Sequence, residues 1–160
     1  MSFETEGEKV NNSSGGISAL ELARYVIWYA DENHVRITQL KLQKLLYFIQ
    51  IEYIKQRGTL LFDDPFEAWT YGPVVRDVYY EYCSNGSLPL HSISEDDGDI
   101  SYLSEEDIHL INDVLNKKIR HVASRLVQES HLQQPWLKHM DEVRNGNKPV
   151  ITKQELMSMH

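Results

Sequence analysis

The feature that most constrains the fold is an apolar segment that runs from Thr38 to Gly58. Thr38 is a favourable N-cap residue, and Gly58 suits the left-handed conformation in which many helices end. The apolar residues of the segment occupy most faces of a helix: Leu40, Leu42, Leu45, Leu46, Tyr47, Ile49, Ile51, Tyr53 and Ile54. A helix that is apolar on most faces is usually surrounded by other elements. We therefore expect a mainly α fold, a compact single-domain helical bundle around a central helix at about residues 38–57.

Helix-start signals elsewhere in the chain predict the surrounding elements. Three of them pair a capping hydroxyl with a carboxylate three residues later, and this pairing satisfies free backbone N–H groups. They are Ser18-x-x-Glu21, Ser104-x-x-Asp107 and Thr152-x-x-Glu155. Apolar periodicity predicts one more helix around residues 122–129.

The segment near residues 60–72 has a different character. Pro65 breaks any helix there, and the alternation in FEAWTY predicts one or two short strands or a small hairpin. Gly72 then interrupts the pattern. Because proline is favourable at the first position of a helix, we expect a third helix from Pro73 to about Cys83.

Length and composition are typical of a single cytoplasmic domain. Residues 1–16 lack the features of a secretion signal and resemble a disordered or cloning-derived leader, which leaves residues 17–160 as the domain. No apolar run approaches the roughly 20 residues of a membrane-spanning helix. Cys83 is the single cysteine, which excludes an internal disulfide, and we interpret it as a half-buried structural thiol.

The formal net charge of −8 is concentrated in one segment. Glu95–Asp107 holds seven acidic residues and no Lys or Arg, whereas the 17 acidic and 16 basic residues elsewhere nearly balance. Such a chain does not attract phosphate backbones, so we expect no nucleic-acid partner. We interpret the segment as a solvated loop that leads into a helix, and a docking patch for a basic partner is the alternative.

No motif indicates catalysis or a bound cofactor. The sequence contains neither a G-x-S-x-G nucleophile elbow nor a glycine-rich phosphate loop. The spacing of His121, His131 and His139 fits no metal signature. We therefore expect no catalytic residue, no cofactor and no metal. One enzymatic alternative remains, a small hydrolase that uses His131 with a nearby carboxylate or serine.

Lys44 and three aromatic residues each allow two interpretations. The amine of Lys44 lies within LQKLLYF, so it either reaches solvent on its aliphatic stem, which we expect, or finds a buried partner. Trp69, Tyr71 and Trp136 either complete the core or provide the aromatic anchors of a binding surface.

Together these motifs resemble one known family, the Panacea domain of SocA-like antitoxins from bacteria and phages. The similar segments are LKLQKLLYFIQIEYIKQRGTLLFDDPFEAWTYGPVVRDVYYEY and, later, SRLVQESHLQQPW. The matching residues are Leu42, Lys44, Leu45, Leu46, Tyr47, Leu61, Phe62, Ala68, Trp69, Tyr71, Gly72, Pro73, Val74, Tyr79, Leu126, Ser130, His131, Pro135, Trp136 and Ile151. The resemblance covers roughly residues 18–158.

The resemblance implies a protein that neutralises a cognate toxin by direct contact and does no chemistry. It also implies, for some members, delivery of the toxin to a protease such as a Clp-type machine. A regulatory or proteolytic adaptor without a toxin partner is a further alternative. We expect nine residues to build or brace the contact surface: Lys44, Tyr47, Trp69, Tyr71, Gly72, Pro73, Val74, His131 and Trp136.

Overall fold

The computed structural model of the chain describes residues 16–158. The leader expected at residues 1–16 lies almost entirely outside the described residues, and only Gly16 belongs to both.

Within residues 16–158 the chain forms eight α-helices and three short strands. The helices are α1 (Ala19–Glu32), α2 (Gln39–Arg57), α3 (Arg76–Tyr82), α4 (Glu105–Lys118), α5 (Ala123–His131), α6 (Gln134–Leu137), α7 (Met140–Arg144) and α8 (Lys153–Met157). The strands are β1 (Phe66–Trp69), β2 (Gly72–Val75) and β3 (Val150–Ile151). The prediction of a mainly α, compact fold with a small hairpin is confirmed.

Helix α2 is the central element, as its sequence predicts. Thr38 caps its start, where the hydroxyl accepts a hydrogen bond from the Lys41 N–H, and Gly58 ends it in the left-handed conformation with φ 77°. Helices α1, α4 and α5 pack against it, together with the hairpin. The side chains of Leu42, Leu45 and other apolar residues of α2 are fully buried. The core therefore surrounds α2 instead of lying along one stripe of it.

The other helix starts agree with their capping patterns. Complete capping boxes join Ser18 to Glu21 and Thr152 to Glu155. The hydroxyl of Ser104 accepts a hydrogen bond from the Asp107 N–H at the start of α4. Each contact satisfies an N–H group that has no partner within its helix.

The three strands form one antiparallel sheet in the order β2-β1-β3. In the hairpin Phe66 pairs with Val75, and Trp69 pairs with Gly72 next to the turn. The expectation that a helix begins at Pro73 is wrong, because Gly72–Val75 is a strand and α3 begins at Arg76. Pairing with β1 outweighs the local preference of proline for a helix start.

Side chains of α2 cover the outer edge of β2. Gln43 accepts a hydrogen bond from the Val75 N–H at 2.9 Å and donates one to the Val75 carbonyl at 3.4 Å. Two turns further along α2, Gln50 accepts from the Leu61 N–H at 2.7 Å and donates to the Phe62 carbonyl at 2.8 Å. Two buried glutamines of the central helix thus satisfy buried backbone groups of the hairpin and of the segment that leads into it.

Two details of the loops depart from or refine the sequence interpretation. Cys83 is exposed, so the interpretation as a half-buried thiol is wrong. The reason is that α3 ends at Tyr82 and Cys83 opens a short 3-10 turn without buried residues. The acidic segment is mostly exposed, but Asp107 is buried and pairs with Arg57 at 3.1 Å.

Among the helices of residues 16–158, none combines the length and apolar character that crossing a membrane requires.

Candidate partner-binding site

Three side chains hold the turn of the β1–β2 hairpin by its carbonyl oxygens. The indole N–H of Trp136 donates to the Trp69 carbonyl at 2.8 Å, and His131 Nε2 lies 3.1 Å from the Thr70 carbonyl. The Lys44 amine donates to the Pro73 carbonyl at 3.0 Å. We call Lys44, His131 and Trp136 the hairpin anchor. It fixes the backbone of the turn from below, on the side of the core.

The anchor residues come from two distant parts of the chain. Lys44 lies on α2, whereas His131 ends α5 and Trp136 lies in the short helix α6. Pro135 stands in the first turn of α6, where its missing N–H costs nothing. The rings of His131 and Trp136 stack with centroids 3.9 Å apart and planes inclined by 20°. This stacking sets the direction in which both rings reach the hairpin.

Lys44 does not reach solvent, so the expectation that its amine snorkels is wrong. Its exposure is 0 %, and burial lowers its pKa from 10.5 to about 7. Space for the stem comes from Gly72, because a Cβ at that position would lie 2.6 Å from Lys44 Cε and 2.7 Å from Ser130 Oγ. Gly72 also has φ +112°, a conformation that disfavours other residues. Lys44 and Gly72 therefore fit each other.

Tyr47, Gly72 and Pro73 are buried and lie behind the turn. The hydroxyl of Tyr47 donates to Gln133 Oε1 at 2.7 Å, which ties α2 to the residue that precedes α6. Burial raises the pKa of Tyr47. These residues support the surface and have almost no area that a partner could touch.

The outer side of the hairpin carries an aromatic groove. It has a volume of about 600 Å³, and its lining includes Leu40, Trp69, Tyr71, Val74, Tyr79 and Lys148. The rings of Trp69 and Tyr79 lie 4.8 Å apart, and the Lys148 amine stands 4.9 Å from the Trp69 ring. Tyr71, at the tip of the turn, is 63 % exposed. We call this feature the hairpin groove.

Glu67 orients the indole of Trp69 within the groove. Its carboxylate accepts a hydrogen bond from the Trp69 indole N–H at 2.9 Å and two from the Arg76 guanidinium, both at 2.9 Å. Burial alone would raise the pKa of Glu67, but the hydrogen bonds from Arg76 and Trp69 lower it overall. Sequence reasoning missed Glu67, Arg76 and Lys148, because their proximity depends on strand pairing and on a residue near the C-terminus.

The side chain of His131 makes a hydrogen bond to the backbone of the hairpin turn. Its Nε2 is engaged by the Thr70 carbonyl, so that nitrogen carries the proton. Burial lowers the pKa of His131, and the charge of Lys44 lowers it further. The hydrogen bond to Thr70 raises the pKa but does not offset these two effects. The neighbouring Ser130 hydroxyl donates to the Val127 carbonyl at 2.8 Å and is buried. Within residues 16–158, no group of His, Cys, Asp and Glu side chains is arranged to hold a metal ion.

The nine residues expected at a binding surface divide into two groups. Trp69, Tyr71 and Val74 line the hairpin groove. The other six lie beneath or inside the hairpin: Lys44, Tyr47, Gly72, Pro73, His131 and Trp136. The structure thus places all nine around one hairpin, although most of them face inward.

Comparison with known proteins agrees with the motifs that meet at this hairpin. Residues 42–137 match the family model of the antitoxin SocA-like, Panacea domain. The chain is 33 % identical over 139 residues to Antitoxin SocA of Caulobacter vibrioides (strain NA1000 / CB15N), an alignment that covers 81 % of this chain and 72 % of that protein. No solved structure matches the chain. The family match includes most of α2, the hairpin and all three anchor residues, and the chain belongs to the SocA-like antitoxin family with its Panacea domain.

Proposed function

We propose that this chain is an antitoxin that neutralises a cognate protein toxin by binding it directly at the hairpin groove. The observation that carries the proposal is an exposed aromatic groove on a hairpin whose backbone is fixed from below. Membership of an antitoxin family supplies the class of partner.

The composition of the groove suits a protein partner. Trp and Tyr dominate the residues that contribute most to binding free energy, and they do so where water is excluded. Trp69 and Tyr79 offer two adjacent rings, and Tyr71 projects from the turn. Lys148 adds one positive charge above the Trp69 ring.

The hairpin anchor explains why so few exposed residues suffice for binding. A loop that is ordered before binding loses less conformational entropy when the complex forms. Lys44, His131 and Trp136 hold three carbonyls of the turn, and Tyr47 braces α2 against the same region. In this proposal Trp69 and Tyr71 contact the toxin, Val74 lines the groove with only 6 % of its surface exposed, and the other six residues keep the groove in its binding conformation.

The acidic segment Glu95–Asp107 supports a basic toxin as partner. Its carboxylates would accelerate encounter with a positively charged protein, and this effect weakens as salt rises. Asp107 is the exception, since it is buried against Arg57 and Tyr53 and stabilises the fold instead.

Co-expression with the neighbouring gene tests the proposal. We expect the neighbour alone to arrest growth and its product to co-purify with this chain. Tyr71→Ala should weaken the complex about tenfold or more, as is typical for an exposed aromatic hot spot. Tyr102→Ala is the matched control, because Tyr102 is 56 % exposed and lies outside the hairpin groove, and its replacement removes no carboxylate from the acidic segment.

Two outcomes would count against the proposal. If the neighbouring gene is harmless when expressed by itself, its product is not a toxin. If Tyr71→Ala and Tyr102→Ala weaken the complex equally, the hairpin groove is not the binding site. A further experiment distinguishes direct inhibition from delivery to a protease: growth and the half-life of the toxin are compared in cells with and without a Clp-type protease. If the chain inhibits the toxin directly, both kinds of cell are protected. If it delivers the toxin, cells without the protease are not protected and the toxin persists in them.

A further inference from the structure

A second groove flanks the N-terminus of α2 and has the opposite character to the acidic segment. It lies between the α1–α2 connection and the α4–α5 connection, with a volume of about 430 Å³. Four basic side chains line it: His34, Arg36, Lys41 and Arg120. Its lining includes no Asp or Glu, although the formal net charge of the chain is −8. We call it the basic groove.

Lys41 is the most informative of these residues. It is only 8 % exposed, yet within residues 16–158 its amine forms neither a hydrogen bond nor an ion pair. Burial, and then the charge of Arg120, lower the pKa of Lys41. An ammonium group that is partly desolvated and lacks a partner is less stable than one that is fully hydrated. The groove therefore contains positive charge that a negative ligand would stabilise.

Arg120 is held in place but keeps most of its donors. One Nη2 hydrogen bond to the Asn33 carbonyl, at 3.3 Å, fixes the guanidinium beside the end of α1. A guanidinium has five N–H donors in a planar fork. Those not used by Asn33 are available to an anion, and this geometry suits the paired oxygens of a phosphate.

The start of α2 adds a third source of positive potential. Thr38, the N-cap residue, lines the basic groove. The first backbone N–H groups of a helix have no partner within it, and the helix dipole makes that end positive. At 19 residues α2 is long enough for this contribution to be developed fully. The start of α2, Lys41 and Arg120 thus all contribute positive potential to the basic groove.

We propose that the basic groove binds a small phosphorylated molecule through its phosphate group. Lys41 and Arg120 would form charge-assisted hydrogen bonds with the phosphate oxygens, and the dipole of α2 would add positive potential. A groove of this volume holds a small molecule, and the recessed Lys41 is reached by a narrow group more readily than by a flat protein surface. The site is distinct from the hairpin groove, with which it shares only Thr38 as a lining residue.

The test uses the purified full chain without any toxin, so its result does not depend on the proposed antitoxin function. Inorganic phosphate and glycerol phosphate are titrated at constant ionic strength, and binding is followed by NMR shifts of backbone amides. We expect saturable shifts at residues 38–41 and 119–123. Tighter binding of glycerol phosphate would identify a phosphate ester as the ligand class, and tighter binding of inorganic phosphate would identify the free ion.

Variants decide whether the groove is responsible. Lys41→Met and Arg120→Gln should each weaken binding about tenfold, the loss of one charge-assisted bond. Lys153→Gln is the matched control, because Lys153 is exposed and does not line the groove. If Lys41→Met fails to fold, the affinity of Arg120→Gln for phosphate is sufficient to test the proposal, because Arg120 is exposed. Shifts that do not saturate, or affinities in Arg120→Gln equal to those in Lys153→Gln, would overturn the proposal.

Discussion

At the scale of single residues, a close steric fit joins Gly72 to Lys44. Gly72 leaves the volume that the lysine stem occupies, and its φ of +112° turns the chain from β1 into β2. Two separate effects therefore disfavour any side chain at position 72, a strained backbone and a steric overlap.

Gly72→Ala should lower the free energy of unfolding by about 3 kcal/mol, of which about 1 kcal/mol is backbone strain and the rest is overpacking. Gly146→Ala measures the backbone strain alone, because Gly146 has φ +89° and no heavy atom lies within 4 Å of its Cβ position. Urea denaturation of both variants measures the difference. Equal losses at the two positions would show that the overlap with Lys44 contributes nothing.

Lys44 makes the stability of the fold depend on pH. In the unfolded chain the amine keeps its proton up to pH about 10.5, whereas burial in the folded chain lowers its pKa to about 7. Between these values the unfolded state binds more protons, so folding becomes more favourable as pH rises. This contribution is lost as pH falls towards 7 and is absent below it.

Lys44→Met keeps the volume of the side chain and removes its titration. We expect the stability of the wild type, relative to the variant, to rise by about 1.4 kcal/mol per pH unit between pH 7 and 10. Urea denaturation at four pH values gives this slope. Tyrosine titration is common to both proteins and cancels in the difference. Parallel pH profiles would mean that the folded amine retains an ordinary pKa.

At the scale of elements, α2 does more than form the core. Its glutamines and Lys44 supply hydrogen bonds to the backbone of Leu61, Phe62, Pro73 and Val75. The last two residues belong to β2, an edge strand of the sheet. A buried backbone group without a partner costs about as much as a lost hydrogen bond. The helix thereby completes the edge of the sheet with side chains.

Gln50→Met tests this role of α2. The change leaves the buried Leu61 N–H and Phe62 carbonyl without their partner, and we expect a loss of about 3 kcal/mol in stability. Gln56→Met is the control on the same helix, since Gln56 is exposed and bonds only to Glu52; its effect should stay within about 0.5 kcal/mol. Amide hydrogen exchange at Leu61 should accelerate in the first variant alone.

At the scale of the whole molecule, the sequence predicts those parts of the fold that local signals determine. Helix α2 follows from Thr38, Gly58 and the apolar faces between them, and capping patterns mark the starts of α1, α4 and α8. These features are predictable because the residues that decide them lie within one or two turns of each other. The hairpin follows in the same way from alternation next to Pro65.

The remainder depends on contacts between distant residues. Pro73 lies in a strand because β1 and Gln43 bind that segment, and Lys44 is buried because Gly72 makes room for it. The nine residues expected at a binding surface could be named from family resemblance, but their division into residues that line the groove and residues that support it could not. That division depends on α5 and α6 passing beneath the hairpin, about 60 residues later in the chain.

Every amino acid carries a carbonyl oxygen, and carbonyl oxygens are all that the hairpin anchor grips. Substitutions at positions 70 and 71 would consequently leave those three bonds intact. The side chains at the tip of the turn can therefore change while the hydrogen bonds of the hairpin anchor are kept. Under the proposed function, related proteins can acquire a different toxin partner by substitutions at these positions while they keep the same fold.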